Sequence, residues 1–212
     1  MSNLKVNLGR TKGGEDFILD FKDQVNLVLL VGASGTGKSV LGYHIYRQLV
    51  EQNTPDRISF VLIDNPKIEF VDWNQKSPYL YYPNITDQNL ALEILEKLAN
   101  SLSQINTELK HYFIHIEESD LFTYSYDRTE KALKQLLAQK EDSKVHIIFS
   151  TSRPTPDIMS QWLLDLVDVQ ASLQQGGIGE KVIHFNGKVM RLLPLTAQES
   201  ELAQKFKLFS LA

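Results

Sequence analysis

Residues 26–39 read NLVLLVGASGTGKS, an apolar run that passes directly into a glycine-rich turn. The continuous apolar character of residues 26–31 is typical of a strand that is buried on both faces. Residues 32–39 match the pattern G-x-x-x-x-G-K-[ST], in which backbone N–H groups of a tight turn cradle phosphate groups at the start of a helix. The stretch therefore predicts a strand, a phosphate-binding loop and a helix, in that order.

The loop pattern assigns roles to its residues. Glycine lets the backbone approach a phosphate closely, and the start of the helix adds its positive dipole end. Lys38 is expected to reach the β- and γ-phosphates, and Ser39 to ligate Mg²⁺. A glycine turn that binds nothing is the alternative, but it would leave a lysine at a helix N-terminus, where positive charge is unfavourable. The predicted nucleotide-binding residues are Gly32, Ala33, Ser34, Gly35, Thr36, Gly37, Lys38, Ser39 and Val40.

Strand-like and helical patterns alternate along most of the chain. Asn186-Gly187 predicts a type I′ β-hairpin, and Thr196 with Glu199 a capping box for a last helix. Continuous apolar strands that alternate with helices favour an α/β fold with a mostly parallel sheet, flanked by helices, and we expect residues 1–212 to form a single domain. Strands are predicted at residues 17–21, 26–31, 58–63, 112–116, 145–150 and 167–173, and helices at 40–51, 88–109, 128–142 and 156–166.

The composition sets limits on the class of protein. The chain has 212 residues, of which 42% are hydrophobic, so it can bury a sizeable core. Its net charge of -4 argues against a polycation that coats nucleic acid. The absence of cysteine excludes disulfides and fits a reducing, cytoplasmic location. No apolar run approaches the ~20 residues that cross a bilayer, so we expect no transmembrane segment.

Acidic residues follow two of the predicted strands at the positions where ligands of open α/β sheets bind. Asp64 comes directly after residues 58–63, and Glu117 and Glu118 come directly after residues 112–116. Glu117 is the candidate for the Mg²⁺ shell, and Glu118 is the candidate that polarises an attacking water. The alternative for Glu118 is a solvated surface carboxylate.

A third polar strand end follows Phe149. Thr151 or Ser152 is a candidate sensor of the γ-phosphate through a hydrogen bond, although Ser152 also suits a turn cap. Arg153 is a candidate contact to a phosphate of its own site or of a neighbouring subunit, or else the partner of a surface acid. Three polar strand ends together with a complete phosphate loop form a consistent nucleotide-hydrolysing set.

These segments together resemble the motor domain of the FtsK/SpoIIIE DNA translocases. The Asp-Asn-Pro-Lys segment and the Thr-Ser-Arg-Pro segment, in that order, make the resemblance specific, since the phosphate loop alone is generic. The resemblance spans about residues 8–195. It rests on Leu8-Gly9-Arg10, LLVGASGTGKSV (29–40), VLIDNPKIEF (61–70), HIIFSTSRPTPDIM (146–159) and GGIGEKV (176–182).

The resemblance implies a RecA-like P-loop NTPase fold, Mg²⁺-dependent ATP hydrolysis and a homo-oligomeric ring, usually of six subunits, around double-stranded DNA. We therefore predict an ATP-hydrolysing motor that moves double-stranded DNA, with Lys38, Glu118, Ser152 and Arg153 as catalytic residues and with Ser39 and Glu117 at the metal. The alternatives are a nucleotide-gated binding module with weak turnover and an ATPase of secretion or conjugation. A membrane or conjugation partner is a further docking candidate.

Two departures from the family bear on the rate of hydrolysis. Ser152 stands where the family has glutamine, and Glu117 where it has aspartate. The extra methylene moves the carboxylate by about 1.5 Å, and a misplacement of about 1 Å can cost on the order of 100-fold in rate. Because glutamate has one more rotatable bond and Mg²⁺ keeps bridging waters, we expect hydrolysis that is retained but slowed.

The alignment of the acidic segment has two registers. In one, Glu117 and Glu118 take the family's Asp-Glu positions. In the other, Asp120-Leu121 is aligned, which puts Ile116 in the metal position and makes Glu117 the catalytic acid. We favour the first register because a carboxylate then directly follows an unbroken apolar strand.

Overall fold

The computed structural model describes residues 3–11, 14–22, 25–64, 70, 77–102, 110–117, 121–138, 144–153, 155, 159–175, 181–185 and 188–192. The predicted last helix, the Asn186-Gly187 turn and Glu118 lie outside these residues. The strands are β1 Lys5–Thr11, β2 Asp16–Asp20, β3 Leu27–Val31, β4 Ile58–Asp64, β5 His111–Glu117, β6 Val145–Thr151, β7 Val169–Gln175, β8 Lys181–Phe185 and β9 Lys188–Leu192. The helices are α1 Lys38–Gln52, α2 Gln88–Leu102, α3 Leu121–Tyr124, α4 Tyr126–Leu137 and α5 Gln161–Asp165.

All nine strands belong to one sheet, in the order β2-β1-β9-β8-β7-β3-β6-β5-β4. The segment β7-β3-β6-β5-β4 is parallel throughout. The other strands pair antiparallel, and β8 with β9 forms the predicted C-terminal hairpin. Numbered in chain order among themselves, the five parallel strands have the spatial order 5-1-4-3-2. The predicted α/β fold, a RecA-like P-loop NTPase, is confirmed.

The sheet separates two apolar cores because successive side chains of a strand point to opposite faces. On one face, Leu27 and Leu29 of β3 pack with residues of α2 and α4. On the other face, Val28 and Leu30 pack with residues of α1, β1 and β2. Each fully buried side chain of this size contributes about 1.5–3 kcal/mol relative to an exposed one. The two cores hold helices against both faces, as continuous apolar strands require.

Strand β1 was not among the predicted elements. It pairs with both β2 and β9, and Val6 and Leu8 are at most 2% exposed. Their alternation with polar residues is the period-two pattern of a strand with one buried face. Only the tertiary fold supplies the apolar core that this short pattern needs, because a lone hairpin is marginal in water.

The predicted helix over residues 156–166 is wrong at residues 159–160, which are not helical. Ser160 has extended dihedral angles, and its carbonyl oxygen accepts the N–H groups of Leu163 and Leu164. The helix therefore begins at Gln161, and residues 156–158 lie outside the described part of the chain. The predicted helix over residues 40–51 runs from Lys38 to Gln52 in the structure. Residues 103–109 of the predicted helix 88–109 lie outside the described part of the chain.

Helix α2 begins where the sequence predicts. The Asp87 carboxylate accepts the N–H of Leu90 at 2.8 Å, which is an N-cap interaction. Helix α4 begins two residues before the predicted start and has Ala138 as its C-cap residue, whereas the prediction extended it to residue 142. Residues 139–143 lie outside the described part of the chain.

His146 is a buried histidine at the opposite end of the sheet from the phosphate loop. Its Nδ1–H donates to the carbonyl oxygen of Val25 at 2.9 Å, and its Nε2 lies 3.0 Å from Nδ1 of His111. Its ring stacks on Phe113 with a centroid distance of 4.7 Å. Burial lowers the pKa of His146 to about 3 and that of His111 to about 4.

We expect the stability of the protein to fall below pH 6.5 because of His146. The pKa of this histidine is lower in the folded state than in the unfolded state, so its contribution is complete above pH 6.5 and is lost as the pH falls toward 3. One such group gives a slope of about 1.4 kcal/mol per pH unit. Urea unfolding at pH 7.5, 6.5 and 5.5 measures this slope. The variant His146→Gln should show a shallower slope, and equal slopes would contradict the assignment.

Candidate nucleotide-binding site

The loop between β3 and α1 has the geometry of a phosphate-binding turn. Gly35 and Gly37 have φ angles of 80° and 100°, in the left-handed region that glycine adopts without a Cβ penalty. The N–H and hydroxyl of Thr36 both donate to the carbonyl oxygen of Ala33, at 3.2 and 2.8 Å. The N–H of Gly32 donates to the carbonyl oxygen of Thr151 at 3.2 Å, which joins the start of the loop to β6.

Lys38 is the first residue of α1 and crosses the loop. Its side chain is buried, and Nζ donates to the carbonyl oxygen of Gly32 at 2.8 Å. Ala33, Ser34 and Gly35 are exposed, so the outer side of the loop is open to solvent. The fold thus brings the predicted nucleotide-binding residues 32–40 together in one strand–loop–helix unit, with the ammonium group inside the turn.

Gly32 is required by close packing. A Cβ at this position would lie 2.5 Å from Oγ1 of Thr36 and 2.7 Å from the carbonyl oxygen of Leu173 in β7. The second of these atoms is backbone and cannot rotate away. The start of the loop is therefore wedged between β6 and β7 with no room for a side chain.

The three predicted strand ends meet at one level of the sheet. Ser150 is the register partner of Leu30 on β3 and of Glu117 on β5, and Glu117 is the partner of Asp64 on β4. Residues at the same level of neighbouring strands point to the same face, which here is the face that carries α1. Asp64, Glu117 and Ser150 are each at most 2% exposed. The register brings the three strand ends to one level, and the catalytic and metal-binding roles of their residues stay predictions.

Glu117 is held by a hydrogen-bond chain from the interior. Its Oε2 lies 3.0 Å from Nε2 of His115, and Nδ1 of His115 is hydrogen-bonded to the hydroxyl of Tyr46 on α1. Burial, together with the nearby Glu117, raises the pKa of Tyr46 well above its usual value. His115 is buried, and its contact with Glu117 was not among the predictions from the sequence. The signal was present in the sequence, since residues two apart on a strand share a face.

Ser150 supplies a second observation beside Glu117. Within the described part of the chain, its hydroxyl is buried without a hydrogen-bond partner. Buried polar groups are normally satisfied, and a metal-bound water is one group that could satisfy this one. The described residues contain no cluster of three or more metal-ligating side chains. Proteins typically bind Mg²⁺ through one or two carboxylates together with substrate phosphates and water.

Asp64 and Thr151 are engaged by the backbone of their own loops. The Asp64 carboxylate accepts the N–H of Phe70 at 3.0 Å. Oγ1 of Thr151 accepts the N–H of Arg153 at 3.0 Å and donates to its carbonyl oxygen at 3.2 Å. Thr151 thereby shapes the turn after β6. Ser152 and Arg153, which follow it at the carboxyl end of the strand, are exposed.

No helix among the described residues is long and apolar enough to span a membrane.

The fold and the loop define a P-loop NTPase fold with a RecA-like sheet. The sequence matches the FtsK/SpoIIIE family over residues 1–191, and the chain belongs to that family. It is 27% identical to the DNA translocase FtsK of Borreliella burgdorferi over 179 residues, covering 72% of this chain and 22% of the relative. It is 26% identical to the DNA translocase FtsK of Helicobacter pylori strain J99 over 207 residues, covering 86% of this chain and 24% of the relative. The chain thus spans about a quarter of these relatives.

Solved structures share the fold at low sequence identity. The pCW3 conjugation coupling protein TcpA, in a monomer form with ATPγS, has a TM-score of 0.73 and 15% identity, covering 98% of this chain and 70% of its own. EssC (ATPases 2 and 3) from Geobacillus thermodenitrificans has a TM-score of 0.75 and 10% identity, covering 99% of this chain and 49% of its own. These similarities support the fold of the chain.

We expect Gly32→Ala to destabilise the protein and to distort the phosphate loop, because its Cβ would meet the backbone of β7. Gly14→Ala is the matched control: Gly14 has a φ of 86° but open space where a Cβ would lie, so strain of about 1–2 kcal/mol is its only cost. Thermal unfolding and binding of a fluorescent ATP analogue measure both effects. Gly32→Ala should lower both stability and nucleotide affinity, and Gly14→Ala stability alone. Equal behaviour of the two variants would contradict the wedged loop.

Proposed function

We propose that this chain is a Mg²⁺-dependent ATPase motor that acts on double-stranded DNA. The observation that carries the proposal is the phosphate loop with Lys38 inside it, in a member of the FtsK/SpoIIIE family. The buried Glu117 is in register with Leu30, two residues before the loop, through Ser150 on the strand between them. The Borreliella and Helicobacter relatives are named DNA translocases, which supports DNA as the cargo. A net charge of -4 directs DNA contact to local loops rather than to the whole surface.

The binding step uses the loop and the start of α1. Backbone N–H groups of residues 32–39 donate to phosphate oxygens, and the dipole of α1 favours the negative charge. Lys38 exchanges its bond with the Gly32 carbonyl oxygen for one with a phosphate oxygen. Ser39 and Glu117 would hold Mg²⁺, which neutralises charge on the β- and γ-phosphate oxygens during transfer. Val40 continues α1 behind the loop.

The hydrolytic step uses residues that follow the carboxyl ends of β5 and β6. Glu118 is proposed to orient and deprotonate the attacking water, as a general base does. Ser152 donates a hydrogen bond to the γ-phosphate, and Arg153 faces a phosphate of its own site or of a neighbouring subunit. The exposed position of Ser152 and Arg153 supports their access to a ligand.

The proposed assembly is supported by the resemblance to ring-forming DNA translocases. We propose that residues 1–212 form one RecA-like domain of a cytoplasmic homo-oligomeric ring around double-stranded DNA. A membrane or conjugation partner is a second docking candidate.

Phosphate release with and without duplex DNA tests the proposal. We expect Lys38→Ala to lower turnover by at least about 100-fold, because it removes a positive group aimed at charge that develops in the transition state. Lys97→Ala is the control, since Lys97 is an exposed lysine of α2. Duplex DNA should stimulate the wild type several-fold. Unchanged turnover in Lys38→Ala would reject the ATPase, and stimulation by protein substrates alone would favour a secretion-type ATPase.

A nucleotide-gated binding module is the second candidate function. It is supported by two departures from the family, Glu117 in place of aspartate and Ser152 in place of glutamine. It requires tight Mg-ATP binding with negligible turnover, and a robust activity that Glu118→Gln abolishes would exclude it. Molecular mass with and without a nonhydrolysable ATP analogue separates a ring from a monomer.

A further inference from the structure

A buried chain of side chains connects helix α1 to the carboxylate of Glu117. The hydroxyl of Tyr46 is hydrogen-bonded to Nδ1 of His115, and Nε2 of His115 lies 3.0 Å from Oε2 of Glu117. The three residues are at most 2% exposed. We call this set the Tyr46–His115–Glu117 chain.

The His115 ring is fixed by its surroundings as well as by these bonds. A Cβ added to Gly42 would lie 3.2 Å from Cε1 of His115, so α1 passes directly over the ring. The Phe70 ring contacts His115 edge-on with a centroid distance of 4.9 Å. Packing on both sides leaves the imidazole little freedom to turn away from Glu117.

The direction of the hydrogen bonds follows from chemistry. An ionised carboxylate can only accept, so Nε2 of His115 carries a proton and donates it to Oε2 of Glu117. In the neutral imidazole Nδ1 is then the acceptor, and the Tyr46 hydroxyl donates to it. The bond engages one carboxylate oxygen, and the other is the oxygen that can be directed to a cation.

A glutamate at this position needs such a restraint. Its carboxylate stands about 1.5 Å further from the backbone than that of an aspartate and has one more torsion to fix. A hydrogen bond from a packed imidazole removes that freedom at little cost, because His115 is already ordered. Carboxylates that ligate metals in proteins are commonly oriented by hydrogen bonds of this kind.

Helix α1 carries both ends of the arrangement. Ser39 and Tyr46 are seven residues apart on α1, so they lie close to the same face of the helix. Ser39 is a proposed metal ligand, and Tyr46 sets the other proposed ligand, Glu117, through His115. A single rigid helix would therefore fix the spacing between the two ligands.

We propose that His115, oriented by Tyr46, is a positioning residue that fixes the Glu117 carboxylate for the Mg²⁺ ion of a bound nucleotide. The inference rests on the proposed ATPase function of the same site. It predicts that the Tyr46–His115–Glu117 chain controls the affinity for the metal and has no effect on nucleotide affinity in the absence of metal.

The experiment measures binding of a fluorescent nonhydrolysable ATP analogue in EDTA and across a titration of Mg²⁺, with Mn²⁺ followed by electron paramagnetic resonance. His115→Phe keeps an aromatic ring but removes the donor, and should raise the metal concentration at half-saturation about 10- to 100-fold. His115→Gln keeps an N–H donor and should restore part of the affinity. Tyr46→Phe, which removes one hydroxyl, should give a smaller rise. Affinity in EDTA should stay at the wild-type value throughout.

Two comparisons make the test specific. His146→Gln alters another buried histidine on the same sheet face and should leave metal half-saturation unchanged. Glu117→Asp draws the carboxylate away from His115, so adding Tyr46→Phe to it should have no further effect on metal affinity.

The inference is overturned if the folded Tyr46→Phe and His115→Phe proteins bind both metals as the wild type does. It is also overturned if Tyr46→Phe weakens metal binding equally in the wild-type and Glu117→Asp backgrounds. If the wild-type protein binds nucleotide in EDTA and in Mg²⁺ and the variants give either of these results, only the positioning role of His115 is rejected. A wild-type protein that binds no nucleotide in either condition sinks the proposed function, and the inference with it.

Discussion

The position of the site depends on how the end of β3 is confined between two parallel neighbours. Gly32 donates its N–H to Thr151 on β6, and a side chain at Gly32 would collide with the backbone of Leu173 on β7. The phosphate loop therefore starts at a fixed position at the carboxyl end of β3, relative to β6 and β7. The parallel register aligns Leu30 of β3 with Ser150 of β6, and Ser150 with Glu117 of β5. The position of Glu117 relative to the loop is thereby set. A shift of one residue would turn the Glu117 side chain to the opposite face.

The second element that organises the site is helix α1. It begins inside the phosphate loop at Lys38, and its buried face, which includes Leu41, Ile45 and Leu49, packs on the sheet. The same face brings Tyr46 to His115. The apolar packing that stabilises the fold thus also sets the polar groups beneath the loop. This arrangement is common in α/β proteins, in which ligands bind where helices begin at the carboxyl ends of strands.

The side chain of Glu117, which is one methylene longer than that of aspartate, has its own hydrogen-bond partner in this structure. The resemblance to the family predicts aspartate at this position, whereas Glu117 is hydrogen-bonded to a histidine two residues earlier on the same strand. The Ser150 hydroxyl, buried without a described partner, lies on the neighbouring strand at the same level. Both observations show that the ends of β5 and β6 form a polar region on an otherwise apolar face of the sheet. Buried polar groups need polar partners, and a metal ion with its bound waters would supply them.

Local patterns in the sequence determined the parallel strands, the phosphate loop, the C-terminal hairpin and the existence of the main helices, because period, glycine placement and turn chemistry act over a few residues. They did not reveal β1, whose short alternating pattern is stable only between β2 and β9, or the late start of α5 at Gln161. Nor did they reveal the role of His115. Tyr46 and His115 are 69 positions apart in the chain, and only the packing of α1 over β5 brings them together. The sequence by itself thus determined the chemistry of each strand end, and the tertiary structure decided which side chains orient it, since that depends on long-range register and on the close approach of helix and sheet.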